Sequence, residues 1–584
     1  MKISRFLWVS ALFALIVLLV VPAIAQEEAT GGIIIENTFG GDPETLNPLL
    51  ANDVTSQNLV NFMYPGLLGV DPSQAVIVPR SEAADEFKAG YLVENWDISD
   101  DGLVYTFNMR QDYFWSDGTP VTTADIAYAW EAIQAGAEGI ADVPAAFVID
   151  FIDNVEIVDD DTFRVTFNQP TCTALSYAAS LGAPLAPSHA LGPVETLNDD
   201  PFNLNPTVVG GIFSFGEFRA GEQVSLLANT EYPDGNVLPT GYILRLVPDA
   251  IVQVEQFLAG EVTFIDNPTV GRRVDIRAAA EASDVQVYDY PSNLWDYFAM
   301  NLADPNNPQP ATDENGNPID QGHHPIFGDV RVRQAIAKAI DVDAIISAAV
   351  FGEADRMTSF IIPVSWAYHE DLAPIVFDPA SASAMLEEAG WIDDDNNPAT
   401  PRVAQGAMYA EDGTLMQFSL FTNEGNARRT TASTVIQDQL AQIGIDVNFQ
   451  TIDFNVLIDL RNAQTFDAVL MGWQNGYPDD PDVTQLFTSV ADVPAAGANF
   501  TSYNNPRFDE LNRMANNATE TNNCDNAARE EMYREMQAIF QEDLPYVPLY
   551  SQRGMYAAQA NMNNFNPYPS QLFWNAASWS LDTP

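Results

Sequence analysis

Two short acidic segments have the spacing of side-chain oxygens that can converge on one cation. They are residues 393–397, with sequence DDDNN, and residues 313–317, with sequence DENGN. A calcium loop that opens this way also needs a glycine at its sixth position and a glutamate at its twelfth. Proline occupies the sixth position in both segments, and alanine or histidine occupies the twelfth. We therefore interpret both segments as solvated turns, with an incidental surface ion as the alternative.

The histidines and serines do not have the spacing that metal or nucleophilic catalysis needs. The four histidines are His189, His323, His324 and His369. No two of them are four residues apart, as a helical zinc pair would be, and there is no G-x-S-x-G nucleophile motif and no glycine-rich phosphate loop. We expect no cofactor, no metal and no catalysis. A secreted hydrolase of peptides or glycans stays an alternative, because carboxylates are too numerous for a catalytic pair to be chosen.

The N-terminal residues have the pattern of an export signal. Lys2 and Arg5 precede an apolar run from Phe6 to Val21, which ends before the small-residue tripeptide at 23–25. The run is shorter than the ~20 residues that span a bilayer. This pattern predicts a signal peptide over residues 1–25. The alternative is an uncleaved anchor.

The net charge bears on the possible partners of the mature protein, and the cysteines bear on a possible disulfide. The net charge is −57, and Lys2, Lys88 and Lys338 are the only lysines. Because a phosphodiester backbone is bound through a basic surface, we expect no nucleic-acid partner. An exported setting permits a disulfide between Cys172 and Cys524, the only two cysteines; two separate buried thiols are the alternative.

The pattern of apolar residues predicts alternating strands and helices, and therefore an α/β fold. The predicted strands lie at 33–38, 103–109, 163–167, 244–246 and 445–449, and the predicted helices begin near Thr122, Asp329, Asp378 and Thr431, with a last one before Pro545. Residues 290–302 and 497–506 look like crossings between lobes, and both could be hinges.

Several motifs in a fixed order resemble one family. They are residues 94–125, with SDDGLVYTF at 99–107, then Val209-Gly210-Gly211 with Asn229 and Tyr232, residues 329–341, Ala389-Gly390-Trp391 and Tyr503-Asn504-Asn505-Pro506. Together they resemble the extracellular solute-binding proteins of oligopeptide, dipeptide and nickel ABC importers. The resemblance spans most of the mature chain.

The resemblance implies a two-lobed fold of the periplasmic-binding-protein type, class II, with an additional α/β subdomain and a hinged cleft. We expect lobe I at residues 26–70, 200–292 and 500–584, the inserted subdomain at 71–199, and lobe II at 293–499. The chain would leave the first lobe near residue 290 and return near residue 500, in agreement with the two crossings.

The resemblance also places a ligand site in the cleft, partly on residues 472–479. Peptide binders of the family often carry an aspartate at the position of Gly476, so peptide binding here would need Asp479 or Asp480 as a substitute. Trp295, Trp366, Trp473 and Tyr477 would instead suit stacking on sugars, unless they pack in the core. The expected cleft residues are Asn37, Asp42, Trp295, Tyr297, Trp366, Trp473, Asn475, Gly476, Tyr477 and Asp479.

These observations predict the substrate-binding component of an ABC importer. It would be an exported monomer, in the periplasm or at the outer face of the cell membrane. It would capture a peptide, an oligosaccharide or a similar small polar solute by lobe closure and deliver it to the membrane permease. A receptor-coupled or chaperone-like binder with the same fold is a further alternative.

Overall fold

The structure is a computed structural model that describes residues 31–38, 41–74, 76–182, 184–313, 316–395, 397–476, 480–569 and 571–582. The predicted signal peptide and two of the predicted cleft residues, Tyr477 and Asp479, lie outside the described residues.

Strands and helices alternate along much of the described chain. The strands are β1 (Ile33–Thr38), β2 (Gly69–Asp71), β3 (Val76–Val78), β4 (Val93–Ile98), β5 (Val104–Met109), β6 (Ile152–Ile157), β7 (Thr162–Phe167), β8 (Phe213–Arg219), β9 (Gln223–Ala228), β10 (Gly241–Leu246), β11 (Phe264–Asp266), β12 (Val285–Met300), β13 (Ala354–Arg356), β14 (Trp391–Ile392), β15 (Val403–Ala404), β16 (Gln417–Asn423), β17 (Asp446–Ile452), β18 (Ala468–Gln474), β19 (Tyr546–Gln559), β20 (Met562–Asn563) and β21 (Ser580–Leu581). The α-helices are α1 (Val54–Met63), α2 (Thr123–Ala137), α3 (Ala174–Ala179), α4 (Ala250–Leu258), α5 (Arg273–Glu281), α6 (Val330–Ala339), α7 (Val342–Val350), α8 (Pro379–Glu388), α9 (Ala427–Ala441), α10 (Phe454–Asn462), α11 (Thr484–Phe487), α12 (Pro506–Ala515) and α13 (Asn526–Asp543).

One large sheet passes through both halves of the molecule in the order β17-β16-β18-β12-β19-β11-β1-β10-β9-β8, with β13 beside β19. Its two ends contain parallel strands, β16 with β17 and β18, and β1 with β10 and β11. Its centre is the long antiparallel pair β12 and β19. Two α/β halves are therefore joined through this pair of strands.

Separate hydrophobic cores divide the chain into two lobes. The first lobe holds one core that runs from Ile34 to Leu244 and is completed by residues such as Phe264 and Trp579, and a smaller core around Phe257 and Met555. The second lobe holds two cores whose buried residues all lie between 295 and 550. Burial of these apolar surfaces stabilises each lobe separately.

A four-stranded sheet, β4-β5-β7-β6, lies within the segment predicted as the inserted subdomain and shares the first-lobe core. Helix α2 follows its second strand and begins with a capping box: the Thr122 side chain accepts from the helix backbone, and the Asp125 side chain accepts from the Thr122 backbone N–H. This reciprocal pairing satisfies amide donors that would otherwise lack partners at a helix start. The helix predicted near Thr122 is confirmed.

The structure corrects the second predicted crossing. Residues 500–545 do not return to the first lobe, because Phe500, Phe508, Tyr533 and Phe540 are buried in a second-lobe core with Trp295. The return is made by β19, which pairs with β12 along nearly its whole length. The first predicted crossing, at 290–302, falls within β12 and the loop that follows it.

Cys172 and Cys524 form a disulfide with their Cα atoms 5.3 Å apart. Cys172 lies two residues before α3 in the first lobe, whereas Cys524 lies between α12 and α13 in the second lobe. The bond therefore connects the two lobes, in addition to the two crossing strands.

Gly211 tests the packing of the first lobe. A Cβ atom there would overlap the carbonyl oxygen of Phe62, and the neighbouring backbone of α1 cannot move freely to make room. We expect Gly211→Ala to lower the free energy of unfolding by about 1–3 kcal/mol, as overpacking does. Urea unfolding measures this change. Gly271→Ala is the matched control, since a Cβ at Gly271 meets nothing within 4 Å; equal losses in both variants would contradict the packing account.

Candidate functional site

The carboxyl ends of strands from both lobes point toward the middle of the crossing strands. In the first lobe, β11 ends at Asp266, which is paired with Tyr556 of β19. In the second lobe, β18 ends at Gln474, which is paired with Leu294 of β12. In open α/β sheets, ligands bind outside the carboxyl ends of the strands. The candidate site is therefore the cleft between these two sets of strand ends.

The crossing strands are irregular at this point. The register between β12 and β19 shifts between Pro291 and Trp295, so the intervening residues lie outside the regular ladder. The Ser551 hydroxyl donates to the carbonyl oxygen of Ser292 at 2.9 Å across the gap. A local break in a ladder allows a bend, so this segment is the expected hinge.

The second-lobe wall is formed by the residues just after β18. The backbone N–H of Asn475 donates to the carbonyl oxygen of Asn293 at 3.1 Å, and the Trp295 indole N–H donates to the Asn475 side-chain oxygen at 3.2 Å. Gly476 follows, exposed, and a Cβ atom at this position would meet none of the described atoms within 4 Å. Gly476 therefore supplies no carboxylate at the position where peptide-binding relatives were expected to carry an aspartate.

Asp480 does not supply the missing carboxylate. Its oxygens accept from the Arg529 guanidinium at 2.9 and 3.2 Å, and the Arg529 side chain is almost fully buried. Asp480 is thus held in an ion pair inside the second lobe, whereas Asp479 lies outside the described residues.

The predicted aromatic residues lie mainly in the second-lobe core. Trp295 is 2% exposed and Tyr297 is fully buried, so neither lines the cleft surface, and their prediction as cleft residues is corrected. Trp366 packs edge-on against Tyr533, and Trp473 stacks on Tyr297. Both are half-buried, and a guanidinium group lies over each ring, Arg529 over Trp366 and Arg461 over Trp473. Aromatic side chains on a strand can pack in a core as well as line a cleft, so the sequence alone does not distinguish the two.

A buried carboxylate stands behind the second-lobe wall. Asp296 is 1% exposed and accepts hydrogen bonds from Arg428 at 2.7 Å, Arg429 at 3.2 Å and the Tyr550 hydroxyl at 2.9 Å. The two arginines lie in the first turn of α9, which follows β16. This network fixes the start of α9 and the end of β16 against the crossing strands.

Asn37 and Asp42 were the sequence predictions in the first lobe. Asn37 is buried; its amide donates to Gln256 at 2.7 Å, and its side-chain oxygen has no hydrogen-bond partner among the described residues. Asp42 is exposed and accepts from the backbone N–H of Gly221 at 2.7 Å, which fixes a turn. Asn37 therefore lies at the strand end that faces the cleft, and Asp42 has a local structural partner.

Two acids that were not predicted lie at the same strand ends. Glu36 is 4% exposed and accepts from the Tyr242 hydroxyl; burial raises its pKa to about 8. Asp266 keeps an exposed surface, but surrounding protein desolvates it and raises its pKa to about 7, against the attraction of Arg273. Glu36 could have been noticed as one acid within the apolar strand 33–38.

Other polar clusters of the described residues give no metal site. In the 313–317 turn, the Asn317 side chain donates to Asp313, and in the 393–397 turn the Thr400 hydroxyl donates to Asp395. Across the described part of the chain there is no group of three His, Cys, Asp or Glu residues that could hold a metal ion. A cavity of about 500 Å³ lies at the far end of β12, within the second lobe, between residues 302–323 and 502–506.

The family follows from a comparison with known proteins. The model of the bacterial extracellular solute-binding proteins, family 5 Middle, matches residues 89–494. The chain therefore belongs to this family of solute-binding proteins. Within the residues that the structure covers, no helix is both long enough and apolar enough to cross a membrane.

Individual members of the family are similar over almost the whole chain. The oligopeptide-binding protein AppA of Bacillus subtilis is 25% identical over 95% of this chain and 93% of its own. The solved structure of AppA in complex with a nonapeptide has a TM-score of 0.68 at 23% identity and covers 95% of this chain and 100% of that one. HbpA2 from Haemophilus parasuis has a TM-score of 0.75 at 21% identity, with 94% and 100% covered. The two-lobed fold is thus confirmed.

The buried Glu36 predicts how stability changes with pH. Its pKa rises from 4.5 to about 8 on folding, so the unfolded chain releases this proton first and stability falls as pH rises from about 4.5 to 8. Glu36→Gln cannot ionise. We expect Glu36→Gln to gain stability relative to the unmodified protein as the pH rises, so that the difference between their free energies of unfolding changes by about 4 kcal/mol in favour of the variant between pH 4.5 and pH 8.5, measured by urea unfolding.

Glu44→Gln is the matched control for this measurement, because Glu44 is an exposed glutamate on the same segment of the first lobe. The control should follow the unmodified protein at both pH values. A Glu36→Gln profile parallel to that of the unmodified protein would show that Glu36 does not titrate in this range.

Proposed function

We propose that this protein is the solute-binding component of an ABC importer, and that it captures a short peptide between its two lobes without making or breaking a bond. The observation that carries the proposal is the convergence of β11 and β18 on a hinge in β12, together with membership of a solute-binding family. A ligand that contacts both strand ends favours the closed arrangement over the open one.

The choice of a peptide over a sugar is supported by the relatives and by the aromatic residues. AppA is named for oligopeptides, and a di/tripeptide-binding protein of Pseudomonas aeruginosa is 24% identical over 87% of this chain. Stacking on a sugar would need free ring faces, whereas Trp295 and Tyr297 are buried. The exposed strand ends, by contrast, suit a ligand with its own backbone donors and acceptors.

The proposed setting follows from the predicted signal peptide at residues 1–25 and from the extracellular family. The protein would be exported to the periplasm or the outer face of the cell membrane and act as a monomer. Its closed form would then be recognised by the permease subunits of the importer.

A ligand screen by thermal unfolding tests the proposal. The mature protein is unfolded and refolded first, which removes any ligand carried through purification. Di- to nonapeptides and a panel of oligosaccharides are then added. Because a ligand at ~100 times its dissociation constant adds about 2.7 kcal/mol of stability, we expect peptides to raise the melting temperature. Sugars that raise it while peptides do not, or silence from both panels, would contradict the proposal.

A further inference from the structure

We propose that Asp266, with Glu36 beside it, receives the terminal ammonium group of the bound peptide on the first-lobe side of the cleft. This inference rests on the proposed function and assigns the ligand's charged end to particular residues. The second lobe has Gly476 at the position where a carboxylate was expected, and Asp480 is neutralised by Arg529.

Asp266 is an accessible carboxylate without a protein partner. It is the last residue of β11, it is exposed, and the described residues give its side chain neither a hydrogen bond nor an ion pair. Arg273 is close enough to attract it electrostatically. However, the Arg273 guanidinium donates to the carbonyl oxygens of Pro268 and Arg553 and to the side chain of Asn267. The nearest cation is therefore directed elsewhere.

Glu36 adds a second, buried carboxylate to the same position. It is paired with Phe264, two residues before Asp266, so Glu36 and Asp266 lie on the same face of the sheet and interact electrostatically. The Tyr242 hydroxyl donates to one Glu36 oxygen. Burial favours the neutral form of the Glu36 carboxyl group and raises its pKa, whereas an ammonium group that arrives beside it would favour the ionised form.

Two tyrosine rings border the carboxylates. Tyr556 is paired with Asp266 across the antiparallel ladder, and its ring stacks on Tyr290 with centroids 4.4 Å apart. Tyr290 lies directly over Gly554, where a Cβ atom would overlap its ring. Tyr556 is 5% exposed, whereas Tyr290 is half-buried, so Tyr290 is the ring that an ammonium group could reach, and an aromatic ring attracts a cation as a carboxylate does.

A pool of peptides with free or acetylated amino termini tests this assignment. The pool contains tri- to nonapeptides, each with a free and an acetylated amino terminus, and native mass spectrometry identifies what the protein binds. We expect the unmodified protein to bind free over acetylated peptides by at least 10-fold. Asp266→Asn should abolish the preference through weaker binding of the free peptides, while binding of the acetylated peptides stays within about twofold.

Asp284→Asn is the matched control, because Asp284 is an exposed first-lobe aspartate just before β12, away from the hinge. It should keep the full preference. Near-ultraviolet circular dichroism verifies that each variant is folded. Equal binding of both kinds of peptide by the unmodified protein, or an unchanged preference in Asp266→Asn, overturns the assignment and leaves the proposed function standing; no peptide binding at all overturns the proposed function.

The disulfide carries a second inference on separate observations. We infer that Cys172–Cys524 is a covalent latch that limits how far the lobes separate. Ala174 and Ala178, just after Cys172, are buried in the first-lobe core, whereas Tyr533 and Met536 of α13, the helix that follows Cys524, are buried in a second-lobe core. A rotation about β12 and β19 alone would have to break this third connection.

The surroundings of the disulfide form a contact between lobes rather than a single bond. The backbone N–H of Cys172 donates to the carbonyl oxygen of Asn516 at 3.0 Å. Asn522, Asn523 and Cys524 all have positive φ angles, of 50°, 59° and 63°. This conformation is unfavourable for residues other than glycine, and most so for the cysteine. The loop therefore accepts strained backbone to present Cys524 to the other lobe.

Small-angle X-ray scattering of the ligand-free protein tests the latch. We expect a larger radius of gyration in the reduced protein and in Cys172→Ser than in the oxidised protein, with reductant having no further effect on Cys172→Ser. Indistinguishable scattering from the oxidised and reduced proteins overturns the inference. If the serine variant does not fold, the double variant Cys172→Ala/Cys524→Ala gives the same comparison, and a Kratky plot separates lobe opening from unfolding.

Discussion

The antiparallel pairing of β12 with β19 is the constraint on which the rest of the structure depends. Each strand begins in one lobe and ends in the other. The parallel strands at the two ends of the large sheet are joined to this pair through β18 on one side and β11 on the other. Because the register fixes which residues lie opposite one another, it also fixes where β11 and β18 end. The break between Pro291 and Trp295 is then the position where a bend disturbs the fewest ladder bonds.

The Asp296 network holds one side of this hinge rigid. A buried carboxylate is tolerated because two guanidinium groups and a hydroxyl satisfy it, and removing one partner of such a group costs about 3–5 kcal/mol. The arginines belong to α9 and the hydroxyl to Tyr550 of β19, so the network joins a helix to both crossing strands. The second lobe therefore moves with its own half of the strands, and the bend is confined to the segment between Pro291 and Trp295.

Local pattern was enough to predict many elements but not their assignment to lobes. The apolar run at the start of residues 33–38 predicted a strand, and Asp329 is the N-cap of the helix that begins at Val330. Residues 497–506 and 290–302 look equally suited to a crossing, since both are aromatic stretches beside polar loops. Both were predicted as crossings, but the return is made by β19, a partner about 250 residues from β12, and this separation leaves no signal in a short window.

The same reasoning explains why the sequence suggested the wrong acids and aromatics for the cleft. Trp295 and Tyr297 lie beside the cleft in sequence, but their strand is covered on both faces. Asp266 is one of 81 acidic residues in the sequence. Its place at the cleft becomes visible only from the pairing of β11 with β19, which sets it opposite Tyr556. The overall charge of −57 attracts any cation from solution, but salt screens such a field within ~10 Å. Orientation of a ligand must therefore come from carboxylates that are held at the strand ends and partly withdrawn from water, where screening is weak.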